Sequence, residues 1–330
     1  MSAAADGGRA SARARANIAL AKYWGKSDPI ANLPAVPSIS MTLDPLITET
    51  TVAFSSDLEQ DELILNEQPA LAIEVGRATQ LLDRVRIEAG LSARARVTSK
   101  NQFPTASGLA SSASGFAALA AAARAAAGLP FDPTKTSSLA RRSSASAARS
   151  VFGGYVELPA GSPGDDALAA HVLAPPEHIA LRIVVAVTAE GRKNVGSTDG
   201  MTHTRSTSPY YEAWVSAAPR LADEVREGLR TRDLPRIGRA MEQSTLAMHA
   251  CGLAADPGLI YWQPATLAAF ARVRELRAGG IEVYATMDAG PHVKALCHAD
   301  DAAAVSRGLA ETPGVLRTLL AGPGHGVEIV

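Results

Sequence analysis

An α+β fold is what the sequence predicts, on three observations. Runs of strand-like segments alternate with runs of helical ones. The chain has 330 residues, too many for one minimal domain, and suits a large α/β unit or two fused lobes. Hydrophobic residues make up 47% of it and charged residues 20%, so a sizeable core can be buried and wholesale disorder is excluded. With the break between lobes near residues 175–180, the expected organisation is a disordered tail over 1–15, an N-terminal lobe over 16–178 and a C-terminal lobe over 179–330.

The elements follow in order. Residues 1–15 are small and Arg-bearing, lack an apolar signal core, and read as the tail. Residues 15–24 alternate small, apolar and polar side chains as an opening strand does, and Pro34 and Pro37 then break the chain into a loop. Thr, Val and Ile crowd residues 47–55, and 62–65 continue the pattern, as in a β-meander. Helical periodicity runs over 71–89 and stops at Gly90. A strand over 93–99 leads through a loop with Pro104 and Gly108 to an Ala-rich helix ending near 127. Asp132 caps the next helix with Pro133 at its first position, and that helix is expected to carry through 141–151 to Gly153 and Gly154.

Leu181–Val187, continuous and β-branched, is the clearest strand. The polar stretch over 190–208 is longer than an ordinary connection and is a candidate functional loop. Helices are expected over 209–230, 234–250 and 264–278, with strands over 281–287 and 327–330. No internal repeat is visible.

A net charge of −1 argues against a general nucleic-acid binder, so any anion site must be a local cluster of basic groups. The two cysteines, Cys251 and Cys297, cannot build a disulfide framework and fit no zinc motif; both read as buried thiols in a reducing compartment. The seven histidines show no metal-ligand spacing. No stretch approaches the roughly 20 apolar residues that span a bilayer. The expected location is therefore cytoplasmic, with no membrane and no nucleic-acid partner. Trp214, Trp262 and Phe270, on helical stretches, read as core.

The strongest local signal is Pro104-Thr105-Ala106-Ser107-Gly108-Leu109-Ala110-Ser111-Ser112-Ala113-Ser114, a Gly- and Ser-rich loop running into a helix. Unpaired backbone N–H groups and the positive end of the helix dipole favour an anion there, and serine hydroxyls add compact donors. The same composition also suits a well-capped helix whose small residues allow close packing. Gly25-Lys26-Ser27 resembles the end of a Walker A loop, but the glycine required upstream is replaced by Leu20, and no dinucleotide fingerprint follows a strand.

The Gly/Ser loop resembles the phosphate-binding motif of the galactokinase, homoserine kinase and mevalonate kinase superfamily. Four more segments narrow the resemblance to the mevalonate diphosphate decarboxylases. They are ANIALAKYWGK from Ala16, SASAARSVFGGY from Ser144, NVGSTDGMTHTRSTS from Asn194 and ATMDAGPHV from Ala285. All five stand in the family's order across most of the chain. A sibling kinase would show a run of glycines near the C-terminus, where this chain has Met287-Asp288-Ala289-Gly290-Pro291. Two departures stand out. Ala35-Val36-Pro37-Ser38 replaces a polar stretch and its role stays open, and Ser27 stands where several relatives carry a basic residue.

The resemblance implies a two-lobed fold of the small-molecule kinase superfamily with its active site in the cleft between the lobes. It implies ATP as co-substrate with Mg²⁺, mevalonate 5-diphosphate as substrate, isopentenyl diphosphate as product, and a homodimer. The reaction it implies is phosphorylation of the tertiary 3-hydroxyl, followed by loss of that phosphate and of carbon dioxide. A mevalonate 5-phosphate decarboxylase, or a kinase that stops before decarboxylation, are the alternatives.

Asp288, at a strand end before an expected helix start, would align the hindered hydroxyl and take its proton; a helix cap is the other reading of that position. Lys22 would orient Asp288 and the transferring phosphoryl group. Period-two alternation puts Lys22 and Lys26 on one face and Tyr23 on the other, so the strand is expected to bend or end near Trp24 if Tyr23 and Lys26 are to hold the diphosphate together. Arg149 offers a planar fork for the substrate carboxylate, with Ser144 and Ser146 donating to the diphosphate. Ser197 and Thr198 would donate there too, with charge from Arg192 or Lys193. Ser107, Gly108, Leu109, Ala110, Ser111, Ser112 and Ser114 would surround the ATP phosphates. No protein ligand for the metal is named, and His249, which matches a family segment, is given a packing role.

Overall fold

The computed structural model describes residues 8–103, 111–191 and 195–330. The N-terminal half holds β1 (Arg9–Ala21), β2 (Lys26–Asp28), β3 (Leu33–Pro34), β4 (Ser38–Ser55), β5 (Glu62–Leu65) and β6 (Gln68–Pro69). It continues with α1 (Ala72–Ala89), β7 (Arg94–Asn101), α2 (Ser111–Ala126), α3 (Pro133–Ser143), α4 (Ala147–Ser150), β8 (Tyr155–Leu158) and β9 (His171–Ala174). The second half holds β10 (Leu181–Val187), α5 (Ser197–Thr207), α6 (Tyr211–Thr231), α7 (Leu234–Leu253) and α8 (Pro264–Ala278). It closes with β11 (Val283–Thr286), β12 (Val293–His298), α9 (Ala302–Ala310), β13 (Arg317–Pro323) and β14 (Glu328–Ile329).

One strand ties the halves together. β4 pairs with β1, β7 and β8, and near its bend Asp44 and Leu43 meet Gly322 and Pro323 of β13. Because β13 also pairs with β10, the sheet runs without interruption from β11 to β6. β14 then returns to β1, with Ile329 opposite Ala12, so the chain's last strands lie against the N-terminal half. Leu20, Ile39 and Met41 meet Leu181, Ile183 and Val185 in the shared core.

Four expectations need correction. Residues 9–15 are not tail: β1 starts at Arg9 and pairs from Ala53 onward. Ala12 and Ala14 are fully buried in one cluster with the alanines of α2. Arg13 bonds Glu49, while Arg15 bonds Asp44 and Glu328. This is strand alternation written in alanine and arginine, whose weak hydrophobicity hides the pattern. The helix from Asp132 does not continue to Val151. It ends at Ser143, Ser144 is extended, and a single turn restarts at Ala147. Serine hydroxyls compete with the backbone ladder, and here Ser144 Oγ and Ser146 Oγ pair at 3.1 Å across the break.

The stretch over 190–208 is largely helical. Within α5 the hydroxyls of Thr202, Thr204, Ser206 and Thr207 donate to the carbonyls of Thr198, Gly200, Thr202 and His203, so a polar run folds back on its own helix. Finally, no helix starts after Asp288. The chain turns there into β12, which removes the helix-cap reading.

Candidate active site

β1 ends at Ala21, and the chain leaves the strand before Tyr23, as its mixed facing required. Gly25 completes the turn at φ +107°, a conformation open to glycine, with the Tyr211 hydroxyl occupying the space a Cβ would need. Lys22 is thereby placed at the sheet's end, where Nζ donates to Asp288 Oδ1 at 2.8 Å. From the other side Lys294, on β12, donates to Asp288 Oδ2 at 3.3 Å. Both lysine side chains are almost fully buried, whereas the carboxylate side chain keeps 28% of its exposure.

Burial alone would raise the Asp288 carboxyl. The charges and hydrogen bonds of Lys22 and Lys294 outweigh it and hold the group well below the usual carboxylate range. Burial lowers Lys22 to about 8, against the pull of Asp288 and with help from the like charges of Lys294 and Arg149.

Arg149, on the single turn of α4, is buried behind this pair, and burial lowers it to about 10. Its Nε donates to Ser40 Oγ at 3.0 Å, Nη1 to Ser38 Oγ at 2.5 Å and Nη2 to Asn17 Oδ1 at 3.4 Å. A guanidinium has five N–H donors. Among the described residues, these three bonds leave one uncommitted N–H on each terminal nitrogen, a pair that can grip a carboxylate end-on. Asn17 Nδ2 in turn donates to the Ser146 carbonyl at 3.0 Å and to Ser150 Oγ at 2.8 Å, joining Arg149 to the serine break. Ser38, whose segment departs from the family pattern, thus orients the arginine.

Helix α7 braces the arrangement. Ser244 Oγ accepts from the Lys22 backbone N–H at 3.0 Å, and Thr245 pairs with Thr286 at 2.9 Å, just before Asp288. His249 is buried, is brought down to about 3 by that burial, and carries a hydrogen bond to the Asp288 backbone. Its ring meets Tyr261 and Trp262 edge-on. It is therefore a neutral packed imidazole set against the turn that carries Asp288.

The Tyr23 hydroxyl is buried without a hydrogen-bond partner among the described residues, and lies within electrostatic reach of Arg149. Lys26 is half-buried near Arg77 and Asp199, and burial, more than Arg77, lowers its pKa. Asp199 sits in the first turn of α5 beside Ser197 and Thr198, which brings that helix start to the Lys26 side of the site. Ser112 is exposed in the first turn of α2. Ser114 is buried and bonded to Thr48 at 2.7 Å. Ser111 opens α2. Ser107, Gly108, Leu109 and Ala110 lie outside the described residues, as do Arg192 and Lys193.

Five residues were missed at the sequence level: Lys294, Asn17, Ser38, Ser40 and Arg77. Lys294 left one signal, a lysine inside the apolar run VKALCH. Arg77 sits on an amphipathic helix where arginine ordinarily faces solvent, yet it bonds the Ser143 carbonyl at 2.6 Å and covers the Phe116 ring.

Among the described residues, no group of three or more His, Cys, Asp or Glu is placed to hold a metal.

Known proteins resemble this chain along most of its length. Residues 14–169 match the diphosphomevalonate decarboxylase-like N-terminal domain, and residues 183–314 match the mevalonate 5-diphosphate decarboxylase C-terminal domain. The diphosphomevalonate decarboxylase of Candida albicans is 34% identical over 299 residues, covering 86% of this chain and 82% of that protein. The solved complex of MDDEF with MVAPP, AMPPCP and magnesium superposes with a TM-score of 0.91 at 40% identity, over 98% of both chains. A structure describing mevalonate diphosphate mediated ATP binding by the mevalonate diphosphate decarboxylase from Enterococcus faecalis gives a TM-score of 0.89 at 39% identity and the same coverage. The fold is the α+β fold of the small-molecule kinase superfamily. With both halves matched and the ion pair of Asp288 formed between them, the chain belongs to the diphosphomevalonate decarboxylase family.

Proposed function

We propose that this protein catalyses the ATP-dependent decarboxylation of mevalonate 5-diphosphate to isopentenyl diphosphate, releasing ADP, phosphate and carbon dioxide. The observation that carries the reading is the Asp288 carboxylate, held ionised between two buried lysines beside a guanidinium with two free N–H groups. The relatives that bind MVAPP and ATP supply the substrate class.

In this reading the 3-hydroxyl donates to the exposed edge of Asp288, which aligns its oxygen with the γ-phosphate of ATP. The lysines disfavour a protonated Asp288, so the carboxylate contributes alignment and negative charge, and the hydroxyl proton passes to the transferred phosphoryl oxygens and departs with the inorganic phosphate. Lys22 faces the transferring phosphoryl group. Phosphorylation turns a poor leaving group into a good one. As the C3–O bond breaks, Asp288 stabilises positive charge developing at C3. The C1–C2 bond then releases carbon dioxide, and its electron pair becomes the new double bond. Arg149 holds the departing carboxylate until that bond breaks, which separates this reaction from a kinase's. Tyr23, Lys26, Ser144, Ser146, Ser197 and Thr198 bind the diphosphate, with Arg77 adding charge. The start of α2, with Ser111, Ser112 and the preceding residues 107–110, holds the ATP phosphates, while Ser114, buried against Thr48, supports that helix start. Magnesium bound on those phosphates would neutralise their charge, and Ser112, exposed in the first turn of α2, would offer it a hydroxyl.

The same reading takes the working form as a homodimer in the cytoplasm. No helix among the described residues is long and apolar enough to cross a membrane, and sedimentation of the purified protein measures the assembly. The test of substrate is initial rates with ATP, magnesium and either mevalonate 5-diphosphate or mevalonate 5-phosphate. Carbon dioxide from the diphosphate at a much higher kcat/KM supports the proposal. Preference for the monophosphate would overturn it.

A further inference from the structure

Lys294 occupies a position where an aliphatic side chain is the ordinary choice. β12 is paired on both edges there, with Val185 of β10 and Thr286 of β11 opposite Lys294. Its neighbours Val293, Ala295 and Leu296 are fully buried, and Lys294 itself is 2% exposed. Burying an ammonium carries a large desolvation cost that only a partner offsets. Here Nζ reaches Asp288 Oδ2, across the turn that separates β11 from β12. The two lysines divide the carboxylate between them. Lys22 takes Oδ1 from just past the end of β1, while Lys294 takes Oδ2 from the second residue of β12.

We propose that Lys294 is a positioning residue for the reaction: it fixes the plane of the Asp288 carboxylate and, with Lys22, turns its exposed edge to the substrate hydroxyl. The proposal rests on the function proposed above. A single lysine leaves a carboxylate free to rotate about its Cβ–Cγ bond. A second cation on the other oxygen, carried by a rigid strand, stops that rotation. Among the described residues, the charged and titratable groups facing Asp288 are Lys22 just past β1, Lys294 from β12, Arg149 from α4 and His249 from α7, the last neutral. Removing Lys294 therefore withdraws a cation from Asp288 and a like charge from Lys22, and raises the pKa of both.

The test compares wild type, Lys294→Met, Lys294→Arg, Asp288→Asn and the double variant Asp288→Asn/Lys294→Met on mevalonate 5-diphosphate, ATP and magnesium. The expected result for Lys294→Met is a kcat lower by about 10- to 100-fold, the range of one charged hydrogen bond. KM for both substrates should stay within about threefold. Both limbs of its kcat–pH profile should move to higher pH, and Lys294→Arg should move them back. In the Asp288→Asn background the Lys294→Met substitution should have no further effect on kcat. The double variant removes both partners, so it tests the coupling even where the single variant folds poorly. Unmoved pH limbs, or additive effects in the double variant, would overturn the assignment of Lys294 while leaving the function standing. A wild-type protein that releases no carbon dioxide would overturn both.

Discussion

Replacing Arg149 by lysine keeps the charge and removes the fork. The guanidinium spends three of its donors on Ser38, Ser40 and Asn17, which sit in three directions around it. An ammonium has one nitrogen and can satisfy one of these directions while pointing a donor at the substrate, so the two-pronged carboxylate contact shrinks to a single bond. Losing one charge-assisted hydrogen bond of about 1.5–3 kcal/mol corresponds to a kcat/KM lower by about 10- to 150-fold. The lost anchors leave buried hydroxyl and amide oxygens without a donor, so the melting temperature should fall as well. The assay is carbon dioxide release under steady state, at a temperature well below the variant's own melting midpoint. A folded Arg149→Lys protein with kcat/KM within twofold of wild type would refute the forked contact.

Three further outcomes are expected. Asp288→Asn should lower turnover by about 10²–10⁴-fold. It should also destabilise the fold by up to about 3–5 kcal/mol, because two buried lysines lose their anion, and that deficit should shrink on raising the pH as Lys22 sheds its proton; thermal melts across pH show it. In the wild type, kcat should fall through a basic limb near pH 8, as Lys22 loses its charge and Asp288 its short bond. The folded chain releases that proton before the unfolded one, so this group's contribution to stability rises from about pH 8 to 10.5, and melts separate the lost activity from unfolding. Gly238→Ala should cost about 1–3 kcal/mol, because the added methyl group would overlap the Tyr284 ring under α7; a denaturant titration measures it.

The sequence made legible those elements whose signals are local. β10 is a continuous β-branched run, β5 a short apolar one, and α8 begins at Pro264, and all three fall at their expected bounds. Where tertiary packing decides, sequence reasoning failed. β1 buries alanines that carry little hydrophobic signal, α5 saturates its own hydroxyls, and β12 contains a lysine whose partner lies across a turn. The site follows the same division. Asp288 and Lys22 stand 266 residues apart and nothing local links them, so the family resemblance alone brought them together. Lys294, Asn17, Ser38 and Ser40 act by touching other site residues, a property that no local spacing encodes.

The central claim is that one site phosphorylates an alcohol and then removes carbon dioxide from the same molecule. Simultaneous measurement of ADP and carbon dioxide from mevalonate 5-diphosphate tests it most directly. Equal amounts of the two are expected at every time in the steady state, with none of either in the absence of ATP. ADP accumulating without carbon dioxide would mean that the arrangement around Asp288 and Arg149 ends at phosphoryl transfer, and would contradict the account.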